Sequence, residues 1–467
     1  MRFSTHPRWL ASCIGLFVTS TTQAQLPSPS FSSVLAVQRP AAGSAFTSHR
    51  QTVPDTTVLQ PWSLHFQQTV IQQWHAKFRA PHTGEYSLQP SEKAKLSLTT
   101  TVFIGRRLWR GASLYFDPEV AGGSGLSGAR GVAGFLNGET FRIGNPAPQL
   151  YMARLFLRQV WNLGPELATA NNAANQLAGP TPTHYVALNA GKFSLSDYFD
   201  LNSYSHDPRT QLLNWSLMST GAWDYPANTR GYTVGVVAEY VAPAFALRAA
   251  TTLVPAEANG PLLEKDYGRS HSETLELTRA TSLRGRPGAV RLLGFLTHAD
   301  MGDYRLATQR PDRDLPATRQ QSRTKYGLSA NLEQALTNEL GMFARASFND
   351  GRHETWAFTE IDRSLSVGAS SIGTTWQRPN DNLGLAIVGN GISPQHRDFL
   401  AAGGHGFILG DGYLRYAPEL IGELYYSFSL PKYFVTLSPD YQFVINPGYN
   451  RDRGPVHAVA LRAHVAF

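Results

Sequence analysis

The chain has 467 residues, 42% of them hydrophobic and 16% charged, with one cysteine and a formal net charge of +7. A single cysteine excludes a disulfide framework or a thiolate metal site, and a mild, dispersed arginine excess excludes a nucleic-acid arm. No run of ~20 apolar residues follows the N-terminal two dozen, which excludes a helical membrane protein but not one that crosses with alternating strands.

The first element is a secretory signal at residues 1–24. Arg2 and Arg8 form its basic region, Ile14-Gly-Leu-Phe-Val18 its apolar centre, and Thr22-Gln-Ala24 the cleavage site. Leu10-Ala-Ser-Cys13 spells a lipoprotein pattern, but it precedes the apolar centre instead of following it, so Cys13 leaves with the signal. Residues 25–60, heavy in Ser, Pro, Thr and Gln, carry no period and are expected to have little order. Residues 61–467 read as one domain.

Within that domain a unit of roughly ten residues recurs, the length a tilted strand needs to cross a bilayer. Segments 96–104, 151–161, 184–193, 232–240, 245–253, 290–296 and 383–387 each have a period near two. The clearest pair lies at 325–348. Tyr326, Leu328, Ala330 and Leu332 alternate with Lys325, Ser329, Asn331 and Glu333. After a turn at Thr337-Asn-Glu339, Leu340, Met342, Ala344, Ala346 and Phe348 alternate with Gly341, Arg345, Ser347 and Asn349. Leu420, Leu424, Tyr426, Phe428 and Leu430 repeat the rhythm against Glu423, Ser427 and Ser429, and a turn at Pro431-Lys432 follows. In the last segment Val459, Leu461, Ala463, Val465 and Phe467 share one face, with Arg462 and His464 on the other.

Long stretches near 118–148, 194–228, 254–270, 299–322 and 389–418 are rich in Gly, Pro, Asn and Asp, as extracellular loops are. The fold class expected is all-β, a transmembrane antiparallel barrel of about sixteen strands with long extracellular loops and short periplasmic turns. Trp62, Trp74, Phe78, Trp109, Trp161, Tyr232, Tyr240, Tyr326, Tyr433 and Phe467 fall near strand ends, where such rings sit at headgroup level.

Chemical motifs give little. Gly123-Ser-Gly-Leu-Ser-Gly128 spells a dinucleotide fingerprint but sits in a Gly-rich loop with no helix after it. No HExxH pair, phosphate-cradling Lys-Ser/Thr motif or nucleophile elbow occurs, and the histidines lack ligand spacing. The expectation is no enzyme, no cofactor and no metal. The polar residues of interest are on the wet face of strands: Arg154 and Arg158, two pleats apart, with Ala153, Leu155, Leu157 and Trp161 opposite, and then Lys192, Glu239, Arg248, Arg291 and Arg345. Facing rows of arginine and carboxylate across a constriction would bond sugar hydroxyls and set a transverse field.

Residues 192–232 interleave polar, charged and aromatic types: Ser205-His-Asp-Pro-Arg-Thr210, Asn214-Trp215 and Gly221-Ala-Trp-Asp-Tyr-Pro-Ala-Asn-Thr-Arg-Gly231. With Trp376-Gln-Arg-Pro-Asn-Asp-Asn-Leu-Gly384, Asn390-Gly-Ile-Ser393 and Tyr441-Gln-Phe-Val-Ile-Asn-Pro-Gly448, they resemble the carbohydrate-selective porins of the OprB family, in order from about Trp62 to Phe467. The resemblance implies a sixteen-stranded outer-membrane barrel in a Gram-negative bacterium, narrowed by inward loops, through which mono- and oligosaccharides diffuse. It points to Asp207, Arg209, Trp215, Trp223, Asp224 and Arg230 as constriction candidates. It also implies recognition of Phe467 by the barrel-assembly machinery, with outer-membrane lipid as surroundings. Trimers are common among general porins, but no stripe of this sequence marks a homo-oligomer interface. A general porin, an exporter or adhesin, and a secreted soluble all-β sugar-binding protein or hydrolase remain the alternatives.

Overall fold

The computed structural model describes residues 59–139 and 146–467. The signal reading at 1–24 and nearly all of the 25–60 segment lie outside the described residues. The strands are β1 (Trp62–His75), β2 (Lys95–Arg107), β3 (Ala112–Gly123), β4 (Gln149–Asn162), β5 (Leu167–Ala170) and β6 (Gly179–Pro182). Next come β7 (Tyr185–Phe193), β8 (Thr233–Val241), β9 (Phe245–Thr252), β10 (His271–Leu283), β11 (Arg286–Ala299) and β12 (Arg323–Ala335). The series ends with β13 (Leu340–Asn349), β14 (Arg363–Gly373), β15 (Arg378–Gly391), β16 (Glu419–Leu430), β17 (Val435–Ile445) and β18 (Val456–Ala466). All but β5 and β6 join in one closed antiparallel barrel, in which β1 pairs with β18 from Gln67 opposite Ala466 to His75 opposite Ala458. Closure leaves no strand edge unpaired in hydrocarbon, where an unsatisfied backbone group costs several kcal/mol.

Alternation decides which face meets lipid. In β12 Tyr326, Leu328 and Leu332 are exposed while Lys325, Ser329, Asn331 and Glu333 are buried, and in β18 Val459 and Leu461 face out while Arg462 and His464 are buried. One-residue slips would turn every such row over, so the apolar rows fix the register. Short turns close one end, the periplasmic one, and long loops the other.

Several strands depart from the sequence reading. The strand β3 runs on to Gly123 inside the stretch expected as loop. Pro118 is tolerated there because the register shifts between Asp117 and Pro118, where its missing N–H breaks no regular ladder. That shift pairs Asp117 with Arg154 and Pro118 with Met152, leaving Ala153 over, so Ala153 is wholly buried rather than on the lipid face. Strands β10 and β14 carry no marked period in the sequence analysis, yet both complete the barrel. Gly123 ends β3, and Leu126–Gly128 is a single 3-10 turn, as a loop reading of the glycine motif requires. Of the aromatic residues expected at headgroup level, Trp62, Trp74, Trp109, Trp161, Tyr240, Tyr326, Tyr433 and Phe467 are exposed. Phe78 and Tyr232 are instead buried, because they belong to segments that fold over or into the barrel.

The apolar core lies within the barrel. Residues 124–139 and 194–232 turn inward, and Phe135, Leu195, Phe199, Trp215, Trp223 and Tyr225 pack into one cluster with wall residues such as Tyr115 and Phe156. Small residues make room for this. A Cβ on Gly341 of β13 would lie 1.9 Å from the Tyr204 ring, and one on Gly134 would lie 2.2 Å from Ser216 Oγ.

Candidate functional site: the lumen constriction

The inward segment 194–232 is held by wall side chains all around the far side of the barrel. Glu276 of β10 accepts from the Asp200 N–H (2.8 Å) and Glu333 of β12 from the Ser203 N–H (2.6 Å). Arg345 of β13 donates to Asp200 Oδ1 (3.1 Å) and to the carbonyls of Leu217 (3.0 Å) and Ser205. Glu423 of β16 accepts from the N–H groups of Leu213 and Asn214, and Arg462 of β18 donates to the carbonyls of Pro208 (2.6 Å) and Gln211 (2.8 Å). The inward polar row of β10 to β18 therefore positions the loop; buried backbone groups that would otherwise lack partners are satisfied by it. A second inward segment is fixed in the same way: Glu419 accepts from Ala133 and Gly134, and Gln73 and Gln442 both donate to the Leu136 carbonyl.

What stays open is a cavity of ≈ 1550 Å³ between that loop and the inner wall of β3, β4 and β7 to β9. Nine of the sequence candidates line it: Arg154, Arg158, Asp207, Arg209, Trp215, Trp223, Arg230, Glu239 and Arg248. Arg154 holds Asp197 through two bonds (2.7 and 2.6 Å) and lies 3.5 Å from Asp117. Arg158 reaches Glu239 (2.6 Å) and Asn189 (2.8 Å), and Arg248 meets the other oxygen of Glu239 (3.1 Å). Arg209 bridges Glu139 (2.8 Å) and Glu119 (3.4 Å), and Arg230 donates to Gln149 (2.6 Å) with its guanidinium over the Tyr151 ring. Charges expected to face each other across a gap are instead paired in contact.

Lys192, Asp224, Arg291 and Arg345 do not line it, and the last two face inward on the far wall, where Arg291 pairs with Glu333 (3.2 Å) and Arg345 holds the loop. Lys192 pairs with Leu155 and Val234, both exposed on the outer surface, so it belongs to the outer row of β7 and not, as polar alternation along the strand had suggested, to the lumen. Asp224 is buried behind the cavity wall, where it accepts from the N–H groups of Trp356 and Ala357 (2.8 Å each) and pairs with Lys325 at 3.5 Å. It anchors one loop to another and is closed to solutes.

The two tryptophans are built into the loop. Trp215 lies against Phe135 (centroids 5.1 Å apart) and Phe358 (5.4 Å), and Trp223 meets Phe199 and Tyr225 edge-on. Their rings serve packing, but neither indole N–H has a partner among the described residues. Buried Arg230 Nη1, Glu139 Oε2 and Asn175 Oδ1 are likewise unpartnered, and all five residues line the cavity. Burial is the largest influence on Glu139 and pushes its carboxyl up, against the pull of Arg209. For Asp207 burial acts in the same sense, but Arg209 and its backbone N–H outweigh it and hold the carboxyl below the usual range.

Sequence reasoning missed one wall altogether. Residues 163–184, with the β5–β6 hairpin, leave the barrel at the end of the short turns and fold back toward the lumen. Asn175 donates to Asp117 (2.9 Å), Asn172 accepts from Ser63 (2.6 Å), and Leu177 joins the buried cluster. Its length between two strands was the available signal, since a turn at this end needs only a few residues. Glu119, which accepts from Thr101 (2.6 Å), Tyr232 (3.0 Å) and Tyr151, was hidden in the stretch read as loop.

Comparison with known proteins places this geometry. A family model described as carbohydrate-selective porin, OprB family, matches residues 86–467. A high-pH structure of Pseudomonas putida OprB is similar with a TM-score of 0.64 and 17% identity, covering 87% of this chain and 94% of that one. The outer membrane channel DcaP of Acinetobacter baumannii aligns with a TM-score of 0.48 and 11% identity, over 87% and 97% of the two chains. No curated protein matches. Because residues 86–467 take in every barrel strand after β1 and both inward segments, the chain belongs to the OprB family of carbohydrate-selective porins, channels of the Gram-negative outer membrane.

Proposed function

We propose that sugars pass by diffusion through the cavity between the loop 194–232 and the wall of β3, β4 and β7 to β9, exchanging water for transient bonds there. One observation carries this reading: five residues that each keep a buried polar atom without a partner among the described residues (Trp215, Trp223, Arg230, Glu139 and Asn175) line one cavity in which Arg154, Arg158 and Arg209 are already paired with carboxylates. A neutral polyol offers both donors and acceptors and needs no countercharge. Weak, multiple contacts also suit a channel, because tight binding would slow exit.

Replacing both indoles by phenylalanine keeps the rings and removes the N–H groups. At about 1 kcal/mol per net hydrogen bond, the double variant Trp215→Phe/Trp223→Phe is expected to lose roughly tenfold or more of the preference for glucose over a polyether of equal size in liposome swelling. Unchanged preference would remove these N–H groups from the sugar path. The β-barrel family gives no role to a catalytic cycle, and none is proposed.

Assembly and export belong to the same reading. Phe467 is exposed, stacks on Phe66 of β1 at 5.2 Å and meets Phe434 edge-on at 6.2 Å, so it caps the seam where the barrel closes. With residues 1–24 directing export, Phe467 is our candidate for recognition by the assembly machinery. Its deletion should lower the amount of folded, heat-modifiable barrel in the outer membrane while leaving single-channel conductance unchanged; normal amounts of folded barrel would contradict that role.

A further inference from the structure

On the outer surface, away from the lumen, β10 and β11 bring together two histidines and a glutamate. His271 stands directly opposite His298 in the β10–β11 register, and Glu273 is one pleat further along β10 on the same face. Below them the row continues as Leu275 and Leu296, both exposed, so the group sits where the apolar band gives way to the long loops. One ligand atom from each of the three residues lies within 4.8 Å of the others, and His271 Nε2 is already 3.4 Å from Glu273 Oε1. Tetrahedral binding at about 2.0–2.1 Å per bond separates donor atoms by about 3.4 Å, so one pair is in place and the third needs a side-chain adjustment of about 1 Å.

The surroundings orient these donors. His271 Nδ1–H donates to the Tyr267 carbonyl (2.7 Å), which leaves Nε2 as the lone-pair nitrogen, and the Tyr267 ring stacks on the imidazole at 4.5 Å. His298 Nδ1 meets Thr324 Oγ1 (2.9 Å), an oxygen able to accept its proton and leave Nε2 free. The Tyr267 hydroxyl donates to Glu273 Oε1 (3.2 Å), while Glu273 Oε2 is buried and has no partner among the described residues. Partners of this kind on the far side of each ligand are what fix ring orientation and tautomer in metal sites.

We propose that His271, Glu273 and His298 form a binding site for a divalent transition ion, Zn²⁺ by the chemistry of the donor set, on the outer face of the barrel at its extracellular rim. Two imidazoles and one carboxylate suit zinc over magnesium or calcium, which prefer all-oxygen shells. Three protein ligands leave a fourth position for water or an anionic oxygen. The ion would clamp β10 to β11 where both strands end, adding stability in proportion to its occupancy.

The test is calorimetric titration of ZnCl₂ into tag-free, chelator-treated full-length protein in detergent, with MgCl₂ as the hard-cation comparison. One Zn²⁺ per chain and no Mg²⁺ binding are expected. The variants His298→Ala and the isosteric Glu273→Gln should each weaken Zn²⁺ at least about tenfold, the scale on which even outer-sphere partners matter. His457→Ala, on the outer face of β18, should leave the affinity unchanged. Heat-modifiable gel migration verifies that each variant is a folded barrel. Absence of stoichiometric binding, equal affinity in Glu273→Gln, or an equal loss in His457→Ala would overturn the site.

Discussion

Releasing the inward loop from the wall is expected to widen the channel: the double variant Arg345→Ala/Glu423→Ala should conduct more in planar bilayers and fluctuate more than the parent. Arg345 is 3% exposed and Glu423 1%, and between them they satisfy three carbonyls, two N–H groups and one carboxylate oxygen of Asp200 in the loop. Breaking a buried ion pair costs about 3–5 kcal/mol because the remaining partner is left uncompensated. Asp200 keeps bonds from Thr220 N–H (2.7 Å) and Asn331 (2.6 Å), so the loss is local and the barrel ladder is untouched. A parent-like conductance would mean that Arg345 and Glu423 do not hold the constriction.

The second large effect concerns ion preference. In Arg158→Glu the new carboxylate faces Glu239, which Arg158 now contacts at 2.6 Å, and only Arg248 remains to offset the two. Like charges about 4 Å apart repel by about 4 kcal/mol at an effective dielectric of 20. The pair should relieve this by splaying into the cavity, and the lumen changes by two charges in the negative direction. The reversal potential in a salt gradient should therefore move toward cation preference, with the shift largest at low ionic strength, where screening is weakest. No shift would place Arg158 off the ion path. Because Arg154, Arg158 and Arg209 are already paired with carboxylates, the parent itself is expected to discriminate only mildly between small ions.

The barrel was legible in the sequence because lipid and water impose opposite demands on alternate residues, as in β12 and β18, where nearly every side chain faces the way its polarity predicts. The family-like motifs between 192 and 232 fall in the segment that turns into the barrel. Orientation within that loop was not legible. Asp224 and Asp207 are seventeen positions apart in one polar, aromatic segment, yet one is a buried anchor for Trp356 and the other lines the cavity. Which of the two happens depends on wall residues more than a hundred positions away. Lys192 misled for a related reason: an ammonium on an outer row near the loops can reach water, so its polarity does not report its face. The segment 163–184 was marked only by its length, and the His271–Glu273–His298 group was hidden more deeply, since it arises from register between strands and not from local spacing.

The central claim is that this lumen lets sugars through and holds them briefly on the way. The most direct measurement is single-channel current across a planar bilayer containing the purified protein, with a series of mono- and oligosaccharides added. Resolved, concentration-dependent interruptions of the current by sugars, absent with a polyether of equal size, are the predicted result. Open channels whose current no sugar interrupts would contradict it.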